Sequence, residues 1–197
     1  MNDNSQASSF VELTANPAPL GLLGFGMTTV LLNLHNAGLI ELSSMILSMG
    51  IFMGGLAQVI AGIQEWKKNN TFGATAFTAY GMFWLSLVAL ILLPNTSMGA
   101  NLKTSSSGMG WYLLLWGIFT FFMFIATLKL NSLLQIIFLT LTILFFLLAA
   151  GDFTGNEAIK KIAGFEGIFC GLSAIYGTMA HVINEVYGKN VLPTGSK

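Results

Sequence analysis

The sequence predicts an all-α integral membrane protein with six transmembrane helices in one bundle per protomer. Two observations carry this reading. Apolar runs near twenty residues long recur six times, and only 8% of the 197 residues are charged against 54% that are hydrophobic, with a mean hydropathy of +0.75. A soluble domain carries roughly 25% charged residues, so this chain cannot supply the polar exterior that water requires. About twenty apolar residues in a helix, by contrast, cross a ~30 Å hydrocarbon core.

The elements follow in order. Residues 1–15, with Asp3 and Glu12 but no lysine, form a polar tail unlike the basic start of a cleavable signal. The first span covers 18–39 and begins at Asn16-Pro17-Ala18-Pro19, where an early proline loses no helical hydrogen bond and Asn16 can cap free amides. The second covers 44–64 and gives way to Glu65-Trp66-Lys67-Lys68-Asn69-Asn70, read as an aqueous loop. The third covers 73–93, and Pro94 to Gly110, rich in Asn, Ser, Thr and Gly, reads as another. Spans over 111–128 and 133–150 are divided by Lys129-Leu130-Asn131-Ser132, which leaves room only for a tight reversal. The sixth, 163–186, follows a loop carrying Asp152, Glu157, Lys160 and Lys161. One six-helix domain over 16–188 therefore stands between tails at 1–15 and 189–197.

Charge narrows the partners. The net charge is zero and every basic residue outside the two histidines is a lysine, scattered singly or in pairs. No basic face is available to grip nucleic acid, and membrane lipid is the expected surrounding. An even number of spans puts both termini on one side, where Lys67, Lys68, Lys129, Lys189 and Lys197 oppose Lys103, Lys160 and Lys161. The positive-inside rule then places the termini in the cytoplasm, with the chain in the cell (inner) membrane. Cys170, alone, cannot form an internal disulfide and packs as a small hydrophobe.

Small residues at four-residue spacing, Gly50-x-x-x-Gly54, Ala57-x-x-x-Ala61 and Gly167-x-x-x-Gly171, predict close helix packing. Polar groups inside the spans need partners or a wet cavity, and they include Asn33, His35, Asn36, Gln58, Thr75, Thr78, Asn156 and Glu166. His35 reads as a structural or interfacial histidine. Glu166 reads as lying near an interface, and His181 and Glu185, one turn apart, as a solvated helix end. No HExxH, GxSxG, phosphate loop or cysteine-histidine cluster occurs. Asp152 has no intramembrane aspartate to share a proton with. An enzyme is disfavoured, and neither a cofactor nor a metal is expected.

The segments Asn16-Pro17-Ala18-Pro19-Leu20-Gly21-Leu22, Gly24-Phe25-Gly26-Met27-Thr28-Thr29 and Leu32-Asn33-Leu34-His35-Asn36 resemble the acetate uptake transporter (succinate-acetate permease) family. Gly54-Gly55-x-Ala57-Gln58, Asn70-Thr71-Phe72-Gly73-x-Thr75-Ala76-Phe77, Thr127-Leu128-Lys129 and Cys170-Gly171-x-Ser173-Ala174-x-Tyr176 extend the resemblance over nearly the whole chain. It implies six helices per protomer, homo-hexamers, and passage of acetate, with succinate in some members, through a pathway inside each protomer. It also implies a hydrophobic constriction at Phe25, Tyr80 and Leu141. From composition alone these three are ordinary apolar-helix residues, but each stands roughly eight positions into its span, about 12 Å deep, so one constriction is feasible. The tyrosine hydroxyl could then offer a hydrogen bond to a passing carboxylate.

An anion also needs stabilisation where it first meets the protein. The helix start at Asn16, Pro17, Ala18, Pro19, Leu20 and Gly21 offers terminal amides and the positive end of a helix dipole. Thr28, Asn33, Asn36, Gln58, Thr75 and Thr78 could replace hydration along the way if they face the pathway. Proton-coupled transport and passive anion conduction both remain open. A channel for another small solute such as formate or ammonia, and a membrane scaffold that moves nothing, are the alternatives.

Overall fold

Six helices long and apolar enough to cross a membrane form in the computed structural model, which describes residues 14–195. Residues 1–13 of the predicted N-terminal tail and 196–197 of the C-terminal one lie outside the described residues. The helices are α1 (Ala18–Asn36), α2 (Ser44–Lys67), α3 (Thr71–Leu92, with a 3-10 turn at Leu93–Asn95), α4 (Ser106–Thr127), α5 (Ser132–Thr154) and α6 (Glu157–Tyr187).

The spans appear where the apolar runs predict them, and the α2–α3, α3–α4 and α5–α6 links are shorter than predicted; the α1–α2 link is longer, because α1 ends at Asn36 and not at 39, with Gly38 just beyond it at a positive φ of 78°. Helix α2 continues to Lys67, so Glu65 is helical and buried instead of lying in an aqueous loop. Asn70 ends the link. Its Oδ1 accepts from Gly73 N (3.1 Å) and its Nδ2 donates to Glu65 Oε2 (2.7 Å), capping α3 and satisfying the carboxylate together. Helix α4 starts five residues early because the Ser105 hydroxyl caps it at Gly108 N (3.1 Å). The predicted loop carrying Asp152 to Lys161 shrinks to Gly155 and Asn156: Gly155 takes a positive φ of 64° that glycine tolerates, and Asn156, a cap and no intramembrane residue, accepts from Ala158 N (2.9 Å). Asp152 and Glu157 thus sit on helices, both bridged by Lys160 at 3.1 and 3.3 Å.

The described part of the C-terminal tail, to residue 195, folds back on the bundle. Asn184 Oδ1 accepts from Val191 N (2.7 Å) and Leu192 N (2.9 Å), and Tyr176 donates to Pro193 O (2.9 Å). The strap then lends the carbonyls of Thr194 and Gly195 to the first amides of α5, groups that a helix start otherwise leaves to water.

Packing follows the small residues. Helix α1 lies against α6 and α2, α2 against α3, and α5 against α4 and α6. A Cβ on Gly26 would stand 2.8 Å from the Gly171 carbonyl oxygen, and one on Gly171 would stand 2.8 Å from that of Gly26, so the two backbones touch as the Gly167-x-x-x-Gly171 spacing predicts. Gly54 likewise accepts the Trp84 indole of α3. Residues Gly50–Ala57 of α2 wind as a π-helix, and the Met53 carbonyl there fills the place a Cβ of Gly24 would need. The helices follow one another round a ring, closed between α3 and α4 by aromatic side chains: Tyr80 meets Phe119 at 5.6 Å between ring centroids, and Phe83 meets Tyr112 at 5.7 Å.

Candidate functional site

Three cavities lie along the ring's interior. At the end holding the start of α1, a vestibule of about 450 Å³ is lined by Asn16, Glu65, Lys68, Asn131, Phe138 and His181 among others. At the opposite end a vestibule of about 510 Å³ is lined by residues that include His35, Asn36, Leu87, Asp152, Lys160 and Lys161. Between them a cavity of only about 20 Å³ is walled by Leu22 and Phe25 of α1, Gln58 of α2, Ala76, Phe77 and Tyr80 of α3, and Ile137, Phe138 and Leu141 of α5. Phe138 and Leu22 line both this neck and the first vestibule.

Phe25, Tyr80 and Leu141 therefore share one small space, all three buried, with the Phe25 and Tyr80 rings 6.1 Å apart. Their meeting follows from helix geometry. Each lies seven to nine residues into a helix that starts at the same face of the bundle, so 1.5 Å per residue brings them to similar depth. The Tyr80 hydroxyl is not free, however. It lies 2.9 Å from Thr120 Oγ1, and Thr120 gives its own proton to Trp116 O at 2.7 Å. A threonine hydroxyl has one proton, so Tyr80 is the donor to Thr120 and presents only lone pairs to the neck.

The other predicted polar residues divide by where they point. Gln58 is almost fully buried (1% exposed) and lines the neck, with Nε2 donating to Gly54 O (2.7 Å) and Oε1 unpartnered. Asn36 lines the far vestibule and donates to Asn33 Oδ1 (3.0 Å). Asn33 itself donates to Thr29 O (2.9 Å) and fills the space left by Gly167, which makes it a packing group between α1 and α6. Thr28 donates to Gly24 O (2.8 Å) and reaches Met49 O, holding α1 to α2. Thr78 faces Gly62 of α2, and Thr75 is exposed on the outer face. None of Asn33, Thr28, Thr75 and Thr78 lines the three cavities.

At the start of α1, Asn16 and Ala18 line the first vestibule. Pro17 and Pro19 have no N–H, Ala18 N donates to Asn16 Oδ1 (3.1 Å) and Gly21 N donates to Pro17 O (3.3 Å). Among the described residues no partner faces the Leu20 amide, and its side chain turns outward. Pro19 contributes its carbonyl to Thr178 (3.2 Å), and Gly21 makes room for the Phe77 ring. The predicted anion-binding turn thus has the dipole but few free donors.

The pathway also holds groups that the sequence reading set aside. Glu65 and Lys68 read as loop residues and His181 as a solvated helix end, yet all three line the first vestibule. The signal for Glu65 was available in its five-residue spacing to Asn70, a cap with a spare amide. Glu166, read as interfacial, lies nine residues into α6 with both carboxylate oxygens buried and unpartnered, and it lines none of the three cavities. Among the described residues no cluster of three metal-ligating side chains occurs.

A sequence profile of the GPR1/FUN34/yaaH family matches residues 3–194. The protein of Escherichia coli strain K12 named succinate-acetate/proton symporter SatP is 57% identical over 181 residues, spanning 92% of this chain and 95% of that one. A solved structure, described as that of the bacterial acetate channel SatP, matches with a TM-score of 0.90 and 56% identity over 92% of this chain and 99% of its own. A Saccharomyces cerevisiae protein named ammonia transport outward protein 2 is 37% identical over 178 residues, 87% of this chain and 63% of its own length.

Proposed function

This chain belongs to the GPR1/FUN34/yaaH family, and we propose that it carries acetate and related small carboxylates, succinate among them, across the cell membrane. The observation that carries the proposal is the series of cavities along the bundle, a vestibule at each end and between them a neck of about 20 Å³ walled in part by Phe25, Tyr80 and Leu141. Such a neck excludes bulk water and sorts solutes by cross-section. The relatives named as a succinate-acetate/proton symporter and an acetate channel agree on the solute.

In this reading residues 16–188 are the transport domain, and Asn16 with the first turn of α1 receives the solute beside Lys68, whose Nζ lies 3.4 Å from Ala15 O. The protomers assemble as homo-hexamers, each with its own pathway, and the termini face the cytoplasm. No reacting groups are required, since the solute leaves chemically as it enters, and the activity is transport without catalysis.

A second reading, ammonia conduction, is favoured by the yeast relative's name. One experiment separates them. Purified protein in liposomes is assayed for labelled acetate uptake above that of protein-free liposomes, with formate, succinate and ammonium as competitors. Saturable uptake inhibited by the carboxylates and not by ammonium is expected. Ammonium flux without acetate flux replaces this proposal with the second, and no flux of either leaves a scaffold.

A further inference from the structure

We propose that the solute crosses the neck as the neutral carboxylic acid, paired with the carboxamide of Gln58, so that the proton travels on the substrate. This rests on the carboxylate-transport reading and names the species that the neck accepts.

Hydrogen-bonding capacity in the neck is scarce. The side chains from α1 and α5 that wall the neck are hydrocarbon, and on α3 the one polar group, the Tyr80 hydroxyl, has its proton engaged by Thr120. That leaves Gln58. Its orientation is fixed because only the amide nitrogen can face the Gly54 carbonyl at 2.7 Å. One of its two N–H protons is used there. What remains is one N–H beside one buried, unpartnered carbonyl oxygen, Oε1.

That adjacent donor and acceptor complement a neutral carboxyl group. The acid O–H can donate to Oε1 while its C=O accepts from the remaining N–H. A carboxylate lacks the proton and would set its own lone pairs against Oε1, leaving a buried acceptor unsatisfied and an anion with a single donor. Among the described residues no Lys, Arg, His, Asp or Glu lines the neck, and Tyr80 is the one titratable group facing it. An unpaired charge in such a site loses its hydration with nothing here to replace it.

The vestibules fit the same species. The first carries one carboxylate, Glu65, and one ammonium, Lys68, with His181 beside them; the second carries Asp152 and Glu157 against Lys160 and Lys161, with His35 beside them. Carboxylates and ammonium groups match in number at each mouth, so these groups give neither mouth a net field that concentrates anions. The acid forms in the first vestibule when acetate takes a proton from water-borne hydronium, and on the far side it returns that proton to water. One proton therefore moves with each carboxylate, and no protein base is needed.

The test uses the full-length protein in liposomes, with labelled acetate, an internal pH dye and a potassium diffusion potential set by valinomycin, each trace corrected by protein-free liposomes. Above the acid's own pKa, protein-dependent flux at fixed total acetate should fall about tenfold per pH unit. It should ignore potentials of either sign and deliver one proton per acetate. Flux that follows the anion, accelerates toward a positive interior and leaves internal pH unchanged overturns the proposal while carboxylate transport stands. An absence of any protein-dependent flux overturns both. Gln58→Leu should lower the flux about tenfold, the loss of roughly one hydrogen-bonded pair, and undiminished flux overturns the assignment to this side chain. The parent protein's response to potential decides the question even where that variant does not fold.

Discussion

At the scale of single residues, the neck separates groups that shape the pathway from groups that speak to the solute. Tyr80 belongs with the first, because its hydroxyl is the donor to Thr120 and ties α3 to α4. Tyr80→Phe should therefore lower stability by about 1 kcal/mol, one net hydrogen bond, measured by thermal unfolding in detergent. Acetate flux should stay within about threefold of the parent, short of the tenfold that 1.4 kcal/mol at the barrier would produce. A much larger loss of flux with unchanged stability would make the hydroxyl a solute contact. Leu141 acts by bulk. Leu141→Ala enlarges a cavity of about 20 Å³, so lactate should become a competitor and then a substrate, at a stability cost of about 2 kcal/mol, the low end for a core leucine because one side already faces the neck. Unaltered exclusion of lactate would place the size filter elsewhere. The sequence could not single out these residues by itself. Phe25 is one of sixteen phenylalanines, and only the resemblance to a known family marked it. Gln58 could be read as polar in a span, but its facing could not, since helices apolar all round carry no stripe that tells inside from outside.

At the scale of elements, the apolar runs made all six helices legible, because a length near twenty residues is set by the bilayer and not by tertiary detail. The ends were harder to read. Polar caps such as Asn70, Ser105 and Asn156 begin helices inside segments whose composition resembles loops, and charged first and last turns extend past the hydrocarbon. Glu65 was misplaced for that reason, and with it part of the first vestibule, whereas Lys68 stands in the α2–α3 turn as read. The C-terminal strap was equally hidden, since the bonds that hold residues 191 and 192 come from Asn184, seven and eight positions upstream on α6. Asn184→Ala removes the acceptor for two backbone amides and the donor to Leu192 O (2.8 Å). The strap should then release, and limited proteolysis should cut between residues 188 and 195 at least about tenfold faster, consistent with the loss of 1–2 kcal/mol of local protection. Because the strap also caps α5, and Asn131 beside that cap lines the vestibule, acetate flux should fall with it. Cleavage at the parent rate would show that the Tyr176 contact holds the segment alone.

At the scale of the whole molecule, the ring of helices encloses two vestibules and leaves long apolar faces outward, with α4 the least buried of the spans. That outer face suits lipid and neighbouring protomers equally, so the orientation of the bundle has to be read from charge. Among the described residues four lysines, Lys67, Lys68, Lys129 and Lys189, belong to the end where α1 starts and α6 finishes, and three, Lys103, Lys160 and Lys161, to the other, from which the positive-inside rule predicts cytoplasmic termini. The chain offers a direct test, because Cys170 is fully buried with its Sγ against Ile137 O and should stay silent toward thiol reagents in the folded protein. Leu102→Cys, in the exposed α3–α4 link, and Tyr187→Cys, at the exposed end of α6, place single reactive thiols at opposite faces. In intact cells a membrane-impermeant maleimide should label Leu102→Cys and spare Tyr187→Cys until the membrane is permeabilised, with the parent protein unlabelled in both conditions. The reverse pattern would put the termini outside. The Asn16 vestibule would then open to the exterior, and the vestibule holding Asp152 and Lys160 would be the one that meets the cytoplasm.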